Sequence, residues 1–115
     1  MAAGLRLTPT FFHLLLSLAE GPRHGYAMMR EIDERTEGRV RLGPGSLYYA
    51  LSRLEEARLI REDAGAGDAV PSGESPHEER RRYYALTRQG RERLREEMRV
   101  MDELVAHARR ARLIP

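Results

Sequence analysis

The chain is predicted to be mainly α-helical with one small β-hairpin. Three observations point there. Apolar residues recur at helical spacing in four segments. Two short alternating runs flank a stretch rich in Gly, Pro, Ser and acids. The 115 residues include no cysteine, so the chain must hold together by packing alone. At that length a single domain buries roughly two-thirds of its unfolded surface, which suffices without disulfides or metals.

Thr8-Pro9 opens the first helix, with Thr8 as cap and Pro9 suited to the first turn. Phe11, Phe12, Leu14, Leu15, Leu16 and Leu18 then cover most of its circumference. A helix apolar on more than one side is buried on more than one side, and in so small a chain a second subunit is expected to supply part of the cover. Gly21-Pro22 ends it. The second helix is expected from about His24 to Thr36, with Gly25, Met28, Met29, Ile32 and Thr36 on one face and Gly38 as terminator. Val40 and Leu42 alternate with Arg39 and Arg41, a weak sign of a two- or three-residue strand.

The third helix, from Pro44 to about Ala57, is the most informative element. Leu47, Leu51 and Leu54 fall at i, i+4 and i+7 and share one face. Tyr49 and Ser52 point away from that stripe, flanked by Ser46 and Arg53 on one side and Tyr48 on the other. An ordinary solvated face would carry Glu–Arg pairs. Hydroxyls, rings and an Arg instead suit phosphates and base edges, which suggests a recognition helix for DNA.

Leu59 to Glu62 reads as a strand, residues 64–79 as a mobile loop, and Arg80 to Leu86 as the returning strand. Thr87 caps a long last helix, in which Leu94, Met98, Met101, Val105 and Ala108 form a heptad-type seam too short to hold alone. Helix, helix, helix, strand, loop, strand, long helix is the order of a winged helix-turn-helix. The domain reading is therefore a winged helix-turn-helix over 1–86, with its wing loop at about 64–79, followed by a dimerisation helix over 87–115.

Charge is uneven. Residues 1–63 carry nine Arg and nine acids, residues 64–79 four acids and no Arg, and residues 80–115 eleven Arg and five acids. The basic side chains are all Arg. Coding bias explains that blandly; Arg also suits phosphate and guanine better than Lys does. The apolar run at 11–19 is too short to cross a membrane, and no secretory signal is visible, so a soluble, cytoplasmic protein with no membrane partner is expected. His13, His24, His77 and His107 are scattered without ligand spacing; no metal and no cofactor are expected. No nucleophile–base pair or phosphate-cradling glycine loop is present, which argues against an enzyme.

With those segments in place, the chain resembles the PadR family of winged-helix transcriptional regulators over residues 8 to about 108. The resemblance is carried by Leu14-Leu15-Leu16-Ser17-Leu18-Ala19-Glu20-Gly21-Pro22, by His24-Gly25-Tyr26, by Pro44-Gly45-Ser46-Leu47-Tyr48 with Leu51 and Arg53-Leu54-Glu55, and by Arg82-Tyr83-Tyr84-Ala85-Leu86-Thr87 with Gly90. It implies a homodimeric repressor of the smaller subfamily, whose C-terminal helix packs on the partner's first helix. It also implies a small-molecule effector acting near the dimer interface. Three departures stand out. Gly43 replaces the usual Ser or Thr cap of the third helix, at a cost of a few tenths of a kcal/mol. Arg58 stands where a Gly often closes that helix, costing about 1–2 kcal/mol if left-handed. The long wing loop carries four acids, which shifts the expected phosphate contacts from its tip to Arg80, Arg81 and Arg82 at its base.

The expected DNA-contacting set is Ser46, Tyr48, Tyr49, Ser52, Arg53, Arg80, Arg81 and Arg82. Phe11, Phe12, Leu15, Leu94, Met98, Met101, Val105 and Ala108 are expected at the dimer interface. Phe12, Met98 and Met101 are the candidates to line a pocket for a small hydrophobic or aromatic effector, since Met adapts to varied shapes. The function read from these is a ligand-responsive repressor binding double-stranded DNA as a homodimer, its two recognition helices about 34 Å apart on a pseudo-palindrome. Two alternatives stay open: a winged helix used only for protein–protein contact, and another winged-helix regulator family with a different mode of dimerisation.

Overall fold

The computed structural model describes residues 5–64 and 82–115. The wing loop expected at 64–79, with His77, Arg80 and Arg81, lies outside the described residues apart from Ala64. The elements are α1 (Pro9–Ser17), β1 (Arg23–His24), α2 (Gly25–Arg35), α3 (Pro44–Glu56), β2 (Ile60–Glu62), β3 (Tyr83–Leu86) and α4 (Arg88–Arg110). The mainly helical class and its small antiparallel sheet are as the sequence predicts.

Helix starts follow side-chain chemistry. The Thr8 hydroxyl accepts from the Phe11 N–H, and the His24 Nδ1 accepts from that of Ala27. Thr87 accepts from Gly90 at 2.9 Å. Helix ends share a different device. Glu37, Arg58 and Arg112 each hold a positive φ just past α2, α3 and α4. In each case the next residue but one beyond the cap bonds back five residues: Gly38 to Asp33, Leu59 to Leu54, Leu113 to Ala108. These are Schellman closures, in which glycine normally occupies the left-handed position. Arg58 has φ 61°, so its side chain carries the expected strain. Arg58→Gly is accordingly expected to stabilise the fold by about 1 kcal/mol; a urea midpoint unchanged or lowered would contradict that account.

The sheet has three strands, in the order β1-β3-β2, all antiparallel. Arg23 pairs with Tyr84 and His24 with Tyr83 on one side of β3; Ile60 pairs with Leu86 and Glu62 with Tyr84 on the other. Two corrections follow. The strand expected at Arg39–Leu42 does not form. Its alternation arises because Val40 and Leu42 lean on the core while the Thr36 hydroxyl caps the Val40 N–H at 3.0 Å. The third strand is instead Arg23–His24, two residues too short to show a period.

One core joins all layers: Leu14, Leu15 and Leu18 of the first helical region, Met28 and Ile32, then Leu47, Ala50, Leu51 and Leu54, with Leu59, Ile60, Tyr84 and Leu94. α4 enters that core at its beginning. Arg91 and Arg93 donate to the Ala19 and Leu5 carbonyls, and Gly90 lies against the Leu59 carbonyl. Beyond Met98 the helix leaves the protomer. A polar knot fastens α1 to α2. Arg35 donates to the His13 carbonyl and to its Nδ1, Glu31 bridges Arg35 and Arg23, and Arg23 donates to the Ser17 carbonyl at 2.8 Å. Burial and the adjacent Arg35 charge push the His13 pKa below its usual value.

Candidate nucleic-acid interface

The geometry of α3 decides what it can touch. Leu47, Ala50, Leu51 and Leu54 are buried, which turns the opposite face outward. Ser46, Tyr49, Ser52 and Arg53 are all exposed on it, Tyr49 to 64%. The structure therefore brings these four expected residues together on one surface. Tyr48 sits at the edge, its ring and hydroxyl over Gly25 at the start of α2. A Cβ at Gly25 would stand 3.0 Å from Leu47, so the small residue lets α2 approach α3 closely. Gly43 caps α3 without a side-chain hydrogen bond, leaving the first-turn N–H groups open to an incoming acceptor.

The charges around this face are lightly held. Arg53 lies 3.9 Å from Glu56, both largely exposed. Arg82, at the base of the wing, lies 3.7 Å from Glu62 across the β2–β3 pair. Exposed pairs of this kind contribute about 0–1 kcal/mol and are readily exchanged for a phosphate. Tyr83 and Tyr84 are strand residues: Tyr84 is buried, and Tyr83 packs edge-on against His24 at 5.3 Å. Burial, with Glu55 and Glu62 nearby, pushes the Tyr84 hydroxyl pKa up.

The expected dimer residues divide. Leu15 is 0% exposed and Leu94 5%. Both are spent on the protomer's own core and have no surface to offer a second copy. Phe11, Phe12, Met98 and Ala108 are partly covered, while Met101 and Val105 are exposed. Periodicity missed Val100, at 41%, and Leu104, at 65%, which widen the apolar face of the free half of α4. Of the expected effector-pocket residues, Phe12 and Met98 are partly buried and Met101 is exposed. Arg41, exposed before α3, also borders the recognition face, and Tyr26 stands half exposed on α2 next to Gly25. Only Tyr26 stood in a sequence motif, and neither was among the expected contacts. Among the described residues no helix is long and apolar enough to cross a membrane, and no group of three or more His, Asp or Glu could hold a metal.

Comparison with known proteins agrees with this architecture. An uncharacterised 37.1 kDa protein of transposon Tn4556 from Streptomyces fradiae is 44% identical over 93 residues, 79% of this chain. The chain spans only 22% of that relative's length. A PadR-like transcription factor from Bacteroides fragilis superposes with a TM-score of 0.64 at 24% identity, over 89% of this chain and 88% of that one. RosR of H. salinarum, solved as a complex, superposes with a TM-score of 0.64 at 27% identity, over 93% and 85% of the two chains. The family model of the PadR-like transcriptional regulators matches residues 14–96, from the core of α1 through the anchored start of α4. The chain belongs to the PadR-like family of transcriptional regulators.

Proposed function

We propose that this chain binds double-stranded DNA sequence-selectively and represses transcription as a symmetric homodimer. The observation that carries the reading is the outward face of α3, where Ser46, Tyr49, Ser52 and Arg53 stand exposed on a helix whose other side is locked into the core. Such a helix is about 10–12 Å across and fits a B-DNA major groove about 12 Å wide. Arg82, exposed and loosely paired with Glu62, supplies a charge for the adjacent backbone. The free half of α4, with Met101, Leu104 and Val105 exposed, supports dimerisation by packing on the first helix, α1, of a second copy. In that dimer, Phe12, Met98 and Met101 lie near the interface, where a small hydrophobic or aromatic effector would alter helix packing and so the spacing of the two α3 helices.

The test is fluorescence anisotropy on DNA from upstream of the chain's own gene against a scrambled duplex, at two salt concentrations. Sequence-preferring binding that weakens steeply with salt is expected, because phosphate contacts release counterions. Tyr49→Ala and Arg53→Ala are each expected to weaken specific binding about tenfold. Equal, salt-insensitive binding to both duplexes would favour a protein-interaction module instead.

A further inference from the structure

Beside α3, on the side away from Tyr48, runs an open groove of about 580 Å³. Its walls come from three places far apart in sequence. Thr8, Thr10 and Phe11 belong to the start of α1, Arg41 and Leu42 to the connection before α3, and Ser46, Tyr49 and Ala50 to α3 itself. Its chemistry is that of an anion-tracking channel. Three hydroxyls, a tyrosine and a guanidinium line it, and it has no acidic lining residue. Thr8 uses an oxygen lone pair to cap Phe11, which leaves its O–H proton free to donate outward. Arg41 is 76% exposed and, among the described residues, is paired with Asp33 at 3.6 Å.

The groove shares Ser46 and Tyr49 with the recognition face, and that shared wall decides what fits. When a helix fills a major groove, the sugar–phosphate strands that bound the groove pass along both of its flanks. On the Tyr48 flank stand α2 and, by way of the sheet, Arg82. On the other flank stands this groove. Resting on the DNA reading above, we infer that the groove seats one backbone strand of the duplex. Arg41 pairs with a phosphate there, and Thr8 and Thr10 donate hydroxyl hydrogen bonds to it. These contacts fix the register and tilt of α3 without reading bases. They also extend the footprint to the flank opposite the wing.

The test is a salt titration of binding to a random-sequence duplex and to the upstream DNA, using the wild type, Arg41→Gln, Thr10→Val and Asp33→Asn, with circular dichroism showing each folded. Arg41→Gln is expected to weaken both duplexes equally, about fivefold to tenfold, and to lower the log–log salt slope by about 0.9, the value of one phosphate contact. Thr10→Val is expected to weaken both about twofold to threefold. Asp33→Asn, which frees Arg41, is expected to tighten both. The inference is overturned if Arg41→Gln changes neither affinity nor slope while the wild type keeps a steep slope. It is equally overturned if the loss is confined to the upstream DNA, which would make Arg41 a base reader. A wild type with no salt dependence at all would instead remove the DNA reading on which the groove assignment stands.

Discussion

Gly90→Ala is expected to destabilise the protein by about 3 kcal/mol, at the upper end of what overpacking costs. A Cβ at Gly90 would stand 1.9 Å from the carbonyl oxygen of Leu59 and 2.8 Å from its carbon. Backbone cannot yield as a flexible side chain does, and this backbone is pinned. The same carbonyl accepts from the Thr87 N–H at 3.1 Å, and the Thr87 hydroxyl donates to the Arg58 carbonyl at 2.7 Å. To admit one methyl group, α4 must move off the end of α3, taking Leu94 out of the core. In most helices the same change stabilises, because Ala is the better helix former by about 1 kcal/mol. Gly45→Ala supplies that control. Nothing lies within 4 Å of its Cβ position, so a small gain or no loss is expected there. Thermal and urea unfolding of the two variants measure the contrast. With about 4 °C per kcal/mol for a chain of this size, Gly90→Ala should lower Tm by roughly 12 °C. A shift below about 2 °C would show that the α3–α4 junction is not rigid.

Leu104→Glu combined with Val105→Glu is expected to convert the proposed dimer to monomer and to weaken operator binding at least about 100-fold. Joining two half-site readers makes the second contact intramolecular, and losing that link forfeits a factor of about 100 to 10,000. These two positions are better probes than Leu94, because they are exposed in the protomer while Leu94 is not. Leu94→Ala would damage the core and confuse unfolding with dissociation. Light scattering with circular dichroism separates the two. A folded variant that stays dimeric would place the interface elsewhere and favour a different way of pairing winged helices.

Much of this architecture is legible in the residues because single-helix patterns are local. The Leu47–Leu51–Leu54 stripe announces both the buried side of α3 and, by opposition, its outward face. Thr8 and Thr87 declare their helix starts, while the left-handed closure at Arg58, only a conditional expectation from the family resemblance, is supplied by the backbone. What stays hidden depends on partners distant in the chain. Arg23–His24 is a strand only because Tyr83 and Tyr84 lie beside it about 60 residues later. Arg39–Leu42 alternates like a strand but, among the described residues, pairs with no neighbouring strand. Periodicity marks Leu15 and Leu94 as apolar-facing without saying whether their own core or a second chain covers them. The groove beside α3 is a juxtaposition of Thr8 with Arg41 and Ser46, which no spacing rule connects.

The junction at Gly90 also has a mechanical meaning. α4 spans 23 residues, about 34 Å, and is clamped at one end by Thr87, Gly90 and Leu94. From Met98 onward it projects as a stiff arm about 18 Å long. A tilt of about 10° at the clamp would carry the far tip, about 24 Å beyond Leu94, by about 4 Å, slightly more than the rise of one base pair. Because the clamp grips the end of α3 directly, the arm and the DNA-facing helix move as one body. In the proposed dimer, a disturbance at the tip would thus be returned to the duplex as a misfit of its two half-sites, with no flexible coupling in between to absorb it.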